Sequence, residues 1–177
     1  HPCPHRWINA RPHQTAKVLT AGFESYQLDS AARPLGDFID DLSTWYVRRS
    51  RDRFKSDDNA QALATLRQVL YITAHLMAPI MPFFADDLHR RIKQDGDAES
   101  VHLSEWPVQQ TVDEQLLKDM TAVRELASKG LELRERAGIK VRQPLSKFTF
   151  KHAHSLSSEL LDILKDELNV KEIVFEK

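Results

Sequence analysis

The sequence predicts a mainly α-helical protein: an antiparallel helical bundle followed by a small α+β appendage with strand–helix–strand order. Apolar residues recur at three- and four-residue spacing in four stretches before residue 95, and short polar breaks join those stretches. After residue 144 the pattern changes. Phe148 and Phe150 alternate with polar residues, a leucine-rich helical stretch follows, and 170–175 is typical of a second strand.

Composition excludes several classes of protein. The 177 residues are 41% hydrophobic and 29% charged, which is ordinary for a soluble globular protein. The formal net charge is −1, so any binding of nucleic acid must use a local patch. Cys3 is the only cysteine, which excludes an internal disulfide and a thiolate zinc site and indicates a reducing, cytoplasmic location. No apolar run is long enough for a membrane span, no signal peptide is visible, and the start at His1 rather than Met indicates a piece of a longer protein.

The first helix is expected from Trp7 to about Ser25. Residues 1–5 contain two prolines and are expected to form a loose lead-in, because proline removes a backbone donor and fixes φ. Pro12 is expected to interrupt the early part of the helix for the same reason.

A second helix, capped by Asp29 or Ser30, is predicted to run to about Phe54 and is the most informative stretch of the chain. Its apolar residues form one stripe along the helix: Leu35, Phe38, Ile39, Leu42, Trp45 and Tyr46. Because Trp45 and Tyr46 lie on that stripe, we expect both rings in the core. The alternative is a platform on which RNA bases stack.

The same helix ends in a cluster of positive charge. Between residues 48 and 55 only Asp52 opposes the basic residues, which are Arg48, Arg49, Arg51, Arg53 and Lys55. Guanidinium groups match phosphate geometry and stack on bases, and arginine beside aromatic residues is a common way to hold single-stranded RNA. From the residues alone, a solvated helix end favoured by the helix dipole is the stronger interpretation, and RNA binding is the alternative.

Three aspartates, Asp37, Asp40 and Asp41, precede that cluster on what the spacing predicts to be the polar flank of the helix. General acid–base chemistry would require them to converge in a pocket. We interpret them instead as residues for solubility and local ion pairs.

A third helix is predicted from about Ala60 to Met77, ended by Pro79, and a fourth begins near Pro82. The apolar side chains around this turn are expected in the core: Met77, Met81, Phe83 and Phe84.

The best domain boundary lies near residue 110, after Pro107 and a polar run. It separates a helical bundle domain at 1–110 from a long helix with a small α+β subdomain at 111–177. Thr111 and Glu114 fit a capping box for a fifth helix of about 25 residues, and Gly138 is typical of the residue that ends a helix. The strand–helix–strand unit is too small to fold alone, so we expect it to pack on the fifth helix.

No pattern gathers residues that could carry catalysis or hold a metal. His152 and His154 stand two apart, with no Cys, Asp or Glu partner nearby in the sequence, and His75 is interpreted as a packed or capping histidine. There is no glycine-rich phosphate loop, and no elbow glycines flank a serine. We therefore expect no catalytic residue and no metal site.

Three stretches of this chain resemble the isoleucyl-tRNA synthetase family. Residues 29–54, DSAARPLGDFIDDLSTWYVRRSRDRF, are similar to the signature helix of that family's anticodon-binding domain. Residues 75–107, including LMAPIMPFFADDLHRRI and SVHLSEWP, resemble the helix pair and closing strap that follow it. AGIKVRQPLS at 137–146 resembles a later motif, and Lys55 stands where the family usually has Trp.

The resemblance implies a helical bundle of the class Ia synthetase anticodon-binding type, which recognises the anticodon stem-loop of isoleucine tRNA. It brings two sets of RNA-contacting candidates to this chain. The first matches the signature helix: Trp45, Tyr46, Arg48, Arg49, Arg51, Arg53 and Phe54. The second matches the later motif: Lys140, Arg142 and Gln143.

The family's catalytic signatures, HIGH and KMSKS, are absent from this sequence. We therefore expect this chain alone to be non-catalytic, with ATP and magnesium used only by the parent enzyme, whose other domains would be its partners. Two alternatives stay open. One is the same domain of a valyl or leucyl enzyme, and the other is a non-RNA helical module whose arginines bind an acidic protein.

Overall fold

The structure is a computed structural model that describes residues 3–108, 110–151 and 156–176. The chain divides into two compact units, Pro2–Val112 and Asp113–Lys177. Helices dominate the first unit, and the second contains a pair of strands. The predicted fold class, mainly helical with a small strand-containing appendage, is confirmed at that level.

The first unit is built on two long helices, α1 and α4. Its elements in order are α1 (Cys3–Glu24), α2 (Leu28–Asp40), a π-helical segment (Asp41–Val47), α3 (Arg51–Lys55), α4 (Ala60–Met77), α5 (Pro82–Ile92) and a 3₁₀ turn (Val101–Leu103). Helix α1 packs on α2 and α4, and α4 packs on α5. The core is made of side chains with almost no exposed surface: Trp7, Ile8, Leu19, Phe38, Tyr46, Val69 and Leu76.

Helix α1 differs from the expectation at its start. Within the described residues it already includes Cys3, and Pro4 is tolerated because it falls in the first turn, where the backbone donors have no helical partner. It also continues through Pro12 instead of being interrupted there. Burial of Trp7 and Ile8 ahead of the proline, and of Leu19 beyond it, offsets the missing hydrogen bond. The predictions for α4 and α5 are confirmed, including the end of α4 before Pro79.

The start of α5 contradicts the expected core. Met77 is buried, but the exposed fractions of Met81, Phe83 and Phe84 are 47%, 92% and 53%. The reason is the phase of α5, whose buried face is formed by Ala85 and by His89 one turn later. The exposed apolar patch, defined as residues 80–84, is therefore on the outside of the unit.

The second unit is a long helix with a strand–helix–strand unit. It contains α6 (Glu114–Arg136), β1 (Leu145–Lys151), α7 (Ser158–Leu168) and β2 (Val170–Glu176). The strands are parallel, with Phe150 opposite Phe175, and α7 packs on α6 as expected. The predicted cap at Thr111 is wrong, because Asp113 caps α6 by accepting a hydrogen bond from the Leu116 amide at 2.9 Å.

The end of α6 is confirmed at Gly138. Its φ of +68° lies in the left-handed region that glycine adopts without strain. The Gly138 amide donates to Glu135 O at 3.0 Å, and the Ile139 amide donates to Arg134 O at 2.9 Å. These two bonds form a Schellman motif and fix the direction in which the chain leaves the helix.

Helices α1 and α2 meet at a point where no side chain fits. A Cβ built on Gly22 would lie 2.5 Å from the Ala31 Cβ and 3.0 Å from its Cα. Gly36 of α2 has no atom within 4 Å of the same position. An alanine at Gly22 would therefore test the close packing of the two helices, whereas an alanine at Gly36 would test helix propensity alone.

We expect Gly22→Ala to destabilise the protein by about 1–3 kcal/mol, because α1 and α2 would have to move apart. The matched change Gly36→Ala should stabilise it by about 0.5–1 kcal/mol, since alanine loses less backbone entropy in a helix. Urea unfolding of both variants measures the difference. A Gly22→Ala protein as stable as Gly36→Ala would show that the two helices do not meet as described.

Candidate nucleic-acid interface

The arginine-rich stretch does not continue α2 as one regular helix. The π-helical segment Asp41–Val47 follows α2 directly, and the amide of Arg48 donates to Ser43 O, five residues back. The backbone turns at Ser50, and α3 then carries the last two arginines. Helical winding therefore reaches Lys55, close to the predicted end at Phe54, but the prediction of one regular helix is wrong because the π-helical turns and the turn at Ser50 interrupt it.

The predicted apolar stripe is only partly buried. Leu35, Phe38, Leu42 and Tyr46 lie in the core, which confirms the prediction for Tyr46. Ile39, in contrast, is exposed at 39%. Trp45 is only half-buried, so the prediction that its ring lies in the core holds only in part. Tyr46 has no exposed surface and presents no face to a ligand in this structure.

Tyr46 instead anchors a polar network under the arginine-rich stretch. Its hydroxyl lies 3.1 Å from Nδ1 of His5, and the guanidinium of Arg53 donates to Nε2 of the same imidazole. Arg53 also donates to the Ser50 hydroxyl at 2.8 Å. A guanidinium can only donate, so Nε2 must be the accepting nitrogen and Nδ1 carries the proton toward Tyr46. His5 is therefore neutral when this network is intact.

The network divides the arginines by role. Arg53 is half-buried with its guanidinium directed inward, and Arg49 is also half-buried. Arg48 is exposed, with its Nε donating to Thr44 O at 2.7 Å. Arg51 and Lys55 are exposed as well. The positive charge that solvent meets on this stretch comes mainly from Arg48, Arg51 and Lys55.

Phe54 supports the same network from the other side. It is half-buried, and its ring packs edge-to-face on Tyr46 with the centroids 6.2 Å apart. The Asn59 side chain donates to Phe54 O at 3.2 Å. These contacts hold α3 against the buried tyrosine and leave only part of the Phe54 ring available.

Asp41 corrects the interpretation of the three aspartates. Asp37 and Asp40 are exposed as expected, but Asp41 is buried and forms an ion pair with Arg11 of α1. Nε and Nη2 of Arg11 lie 2.9 and 2.8 Å from Oδ2 of Asp41. Burial lowers the pKa of Arg11, and the nearby Asp37 carboxylate partly opposes that shift. The aspartate thus joins α1 to the π-helical segment and is not a surface charge.

The second set of candidates lies in the second unit. Lys140, Arg142 and Gln143 are all exposed in the loop between α6 and β1. Sequence reasoning missed the residue beneath them, Arg134, which is buried in the last turn of α6. A periodic signal was present, because Arg134 follows Ala127 and Gly130 on the buried face of α6.

In the part of the chain that the structure describes, no three His, Cys, Asp or Glu side chains cluster as metal ligands would. His152 and His154 lie outside the described residues. His75 is packed as predicted, with Nδ1 2.8 Å from Tyr71 O. Within the described ranges, no helix is both long and apolar enough to cross a bilayer.

Comparison with known proteins identifies the family to which the chain belongs. Exposed arginines clustered on one helical stretch form a basic patch, which is the electrostatic feature expected of a nucleic-acid-binding surface. Residues 5–149 match the anticodon-binding domain of tRNA ligase, so the chain belongs to that family. The matched range contains both sets of candidates.

Curated relatives resemble the chain along almost its whole length. It is 41% identical to an isoleucine–tRNA ligase of Deinococcus radiodurans over 182 aligned residues, which cover 96% of this chain and 16% of the relative. Isoleucine–tRNA ligases of Streptomyces coelicolor and Chlamydia muridarum are 40% and 36% identical, again over 96% of the chain and 17% of each relative. The chain thus spans about one-sixth of the length of these relatives.

We expect Arg53→Ala to lower the free energy of unfolding by about 1–3 kcal/mol, because His5 and Ser50 lose their donor. Arg51→Ala, two residues away and exposed, should leave stability unchanged. Thermal and urea unfolding measure both variants. Equal stability of the two proteins would mean that the network does not hold α3.

Acid should weaken the same network. Burial lowers the pKa of His5 from its ordinary value of 6.5, and the charge of Arg53 lowers it further. Because the folded-state pKa lies below the unfolded one, the stability from neutral His5 is present above pH 6.5 and lost as the pH falls through the folded value. The stability difference between wild type and His5→Gln should therefore shrink between about pH 7.5 and about pH 5.

Comparing wild type with His5→Gln cancels the effect of other histidines on the pH dependence of stability. Burial also lowers the pKa of His13 and His75, but both remain in wild type and in His5→Gln. Their contribution cancels in the difference between the two unfolding curves. A stability difference independent of pH would contradict the assignment of a neutral His5.

Proposed function

We propose that this chain binds the anticodon stem-loop of isoleucine tRNA as one domain of an isoleucine–tRNA ligase. Membership of the anticodon-binding family supports the type of RNA, and the names of the relatives support the amino acid. The observation that carries the proposal is the set of exposed cations on residues 48–55, held on a buried aromatic base.

Electrostatics favours this stretch as the point of contact. The whole chain has a net charge of −1, so it does not attract RNA uniformly. Arg48, Arg51 and Lys55 together form a local positive surface against Asp52. The two guanidiniums are suited to bidentate bonds with phosphate oxygens, and the ammonium adds a point charge.

The aromatic candidates take different parts in this proposal. The half-buried side chains of Trp45 and Phe54 supply aromatic surface on which an unstacked base stacks. Tyr46 acts from below as a support, since its surface is fully buried. Arg53 holds α3 in place through its hydrogen bond to His5. Arg49 is half-buried and contributes its positive charge at the edge of the exposed cations.

A second contact with RNA is proposed for Lys140, Arg142 and Gln143. All three side chains are exposed, and two of them are positive. Gln143 adds an amide that both donates and accepts, which suits a base edge or a ribose hydroxyl.

The catalytic steps belong to other domains in this proposal. The parent ligase uses ATP and magnesium in a domain that contains the HIGH and KMSKS signatures, neither of which occurs in this sequence. The remaining domains of the parent are then partners of this chain, and the ligase acts in the cytoplasm.

The proposal predicts specific and salt-dependent binding. Purified chain should bind isoleucine tRNA more tightly than valine or leucine tRNA, and an acidic peptide should not compete. Arg51→Ala should weaken binding and reduce the slope of log affinity against log salt by roughly one unit, because one phosphate contact releases about one counterion. Filter binding at several salt concentrations measures both quantities.

A matched control comes from Arg33. It is exposed and paired with Asp29 in α2, well before the π-helical segment. Arg33→Ala should leave affinity and salt slope unchanged. If Arg51→Ala binds tRNA with the same affinity and salt slope as Arg33→Ala, residues 48–55 are only a solvated surface. If valine tRNA binds most tightly, the assignment of the domain to an isoleucine enzyme is wrong. Competition by the acidic peptide would favour a protein partner.

A further inference from the structure

Arg134 is a buried cation whose hydrogen bonds all go to carbonyl groups. Only 4% of its surface is exposed. Nε donates to Leu168 O at 3.0 Å, and Nη1 donates to Lys140 O at 3.2 Å. Nη2 lies within 3.1 Å of three carbonyls, those of Leu168, Asn169 and Gln143. A buried charge is ordinarily paired with an opposite charge, so this arrangement calls for another source of compensation.

Helix α7 supplies that compensation. Leu168 is its last residue, and Asn169 caps it in the left-handed conformation with φ of +46°. The carbonyls at a helix C-terminus carry the negative end of the helix dipole, which favours a cation. Gly130, one turn before Arg134, allows the close approach, because a Cβ there would lie 2.5 Å from Cδ2 of Leu168.

The same guanidinium fixes the loop that carries the second set of candidates. The basic loop, defined as residues 137–144, contains Lys140 and Arg142 and no acidic residue. Arg134 holds two of its carbonyls, and the Asn169 side chain donates to a third, Val141 O, at 2.9 Å. The loop backbone is thereby tied on its inner side, while the side chains of Lys140 and Arg142 are exposed.

We propose that Arg134 is a positioning residue for RNA binding, which holds the basic loop so that Lys140, Arg142 and Gln143 meet the RNA backbone as a preformed surface. This inference rests on the proposed function for the identity of the ligand. A loop fixed before binding loses less conformational entropy when it binds. The positive loop thus contributes affinity that a flexible loop with the same residues would not.

Arg134→Lys tests the role of the fork geometry. Lysine keeps the charge but places three donors on one compact ammonium, which cannot reach carbonyls on both the loop and α7. We expect affinity for an isoleucine tRNA transcript to fall about tenfold with an unchanged salt slope. Hydrogen exchange at the Gln143 amide, which donates to Lys140 O at 2.9 Å, should become faster.

Two further variants separate positioning from general stability. Arg136→Lys is the matched control, because Arg136 lies in the same turn of α6 but is exposed and paired with Glu132. It should change neither affinity nor exchange. Arg142→Ala should weaken binding and lower the salt slope by roughly one unit. In the Arg142→Ala protein, Arg134→Lys should reduce the affinity for tRNA by a smaller factor than it does in wild type. The reason is that the surface which Arg134 positions has already lost one of its contacts.

The outcomes decide between the two proposals. If Arg134→Lys speeds exchange at Gln143 but binds RNA as wild type does, or if its effect and that of Arg142→Ala simply add, the positioning role is overturned. Binding that depends on Arg51 alone leaves the proposed function standing and removes this inference, whereas absence of tRNA binding by wild type removes both. If Arg134→Lys does not fold, Val141→Gly loosens the exposed loop without touching Arg134 and must weaken binding.

Discussion

The buried ion pair between Arg11 and Asp41 is the constraint on which the geometry of the first unit depends. It joins α1 to the residue where α2 changes into the π-helical segment. Both side chains are largely removed from water, so removing either one would leave the other charge buried without this partner, which is strongly destabilising. The pair therefore ties α1 to the first residue of the segment that also contains the buried Tyr46.

Arg11, Arg53 and Arg134 direct their guanidinium groups into the protein and not toward solvent. Arg11 pairs with a carboxylate, Arg53 with a neutral imidazole and Arg134 with carbonyl groups. Each case uses the donor-only guanidinium to join elements that are distant in sequence. Exposed cations such as Arg51 then rest on a backbone that other arginines have already fixed. Net charge therefore says little about how many arginines are available to a ligand.

Sequence periodicity predicted the existence of most helices and both strands, because local propensity and burial agree in those elements. It failed where tertiary contacts decide. The π-helical turns arise in a stretch whose spacing also fits an α-helix, and the phase of α5 places Phe83 outside. The candidate arginines were visible as a cluster, but their division into inward and outward groups depends on His5, which lies 48 residues before Arg53 in the chain. A local sequence pattern cannot predict a contact between residues so far apart in the chain.

The number of residues in the π-helical segment determines how the residues that follow it are oriented. Each of its turns accommodates more residues than an α-helical turn, and α3 follows it after only a short interval. Deleting one residue between 41 and 47 would tighten the winding and rotate everything after it by about 100°, the share of one residue in an α-helical turn. A substitution in this segment changes only a side chain, but an insertion or deletion rotates all the residues that follow. Its seven residues are therefore constrained in number as well as in kind.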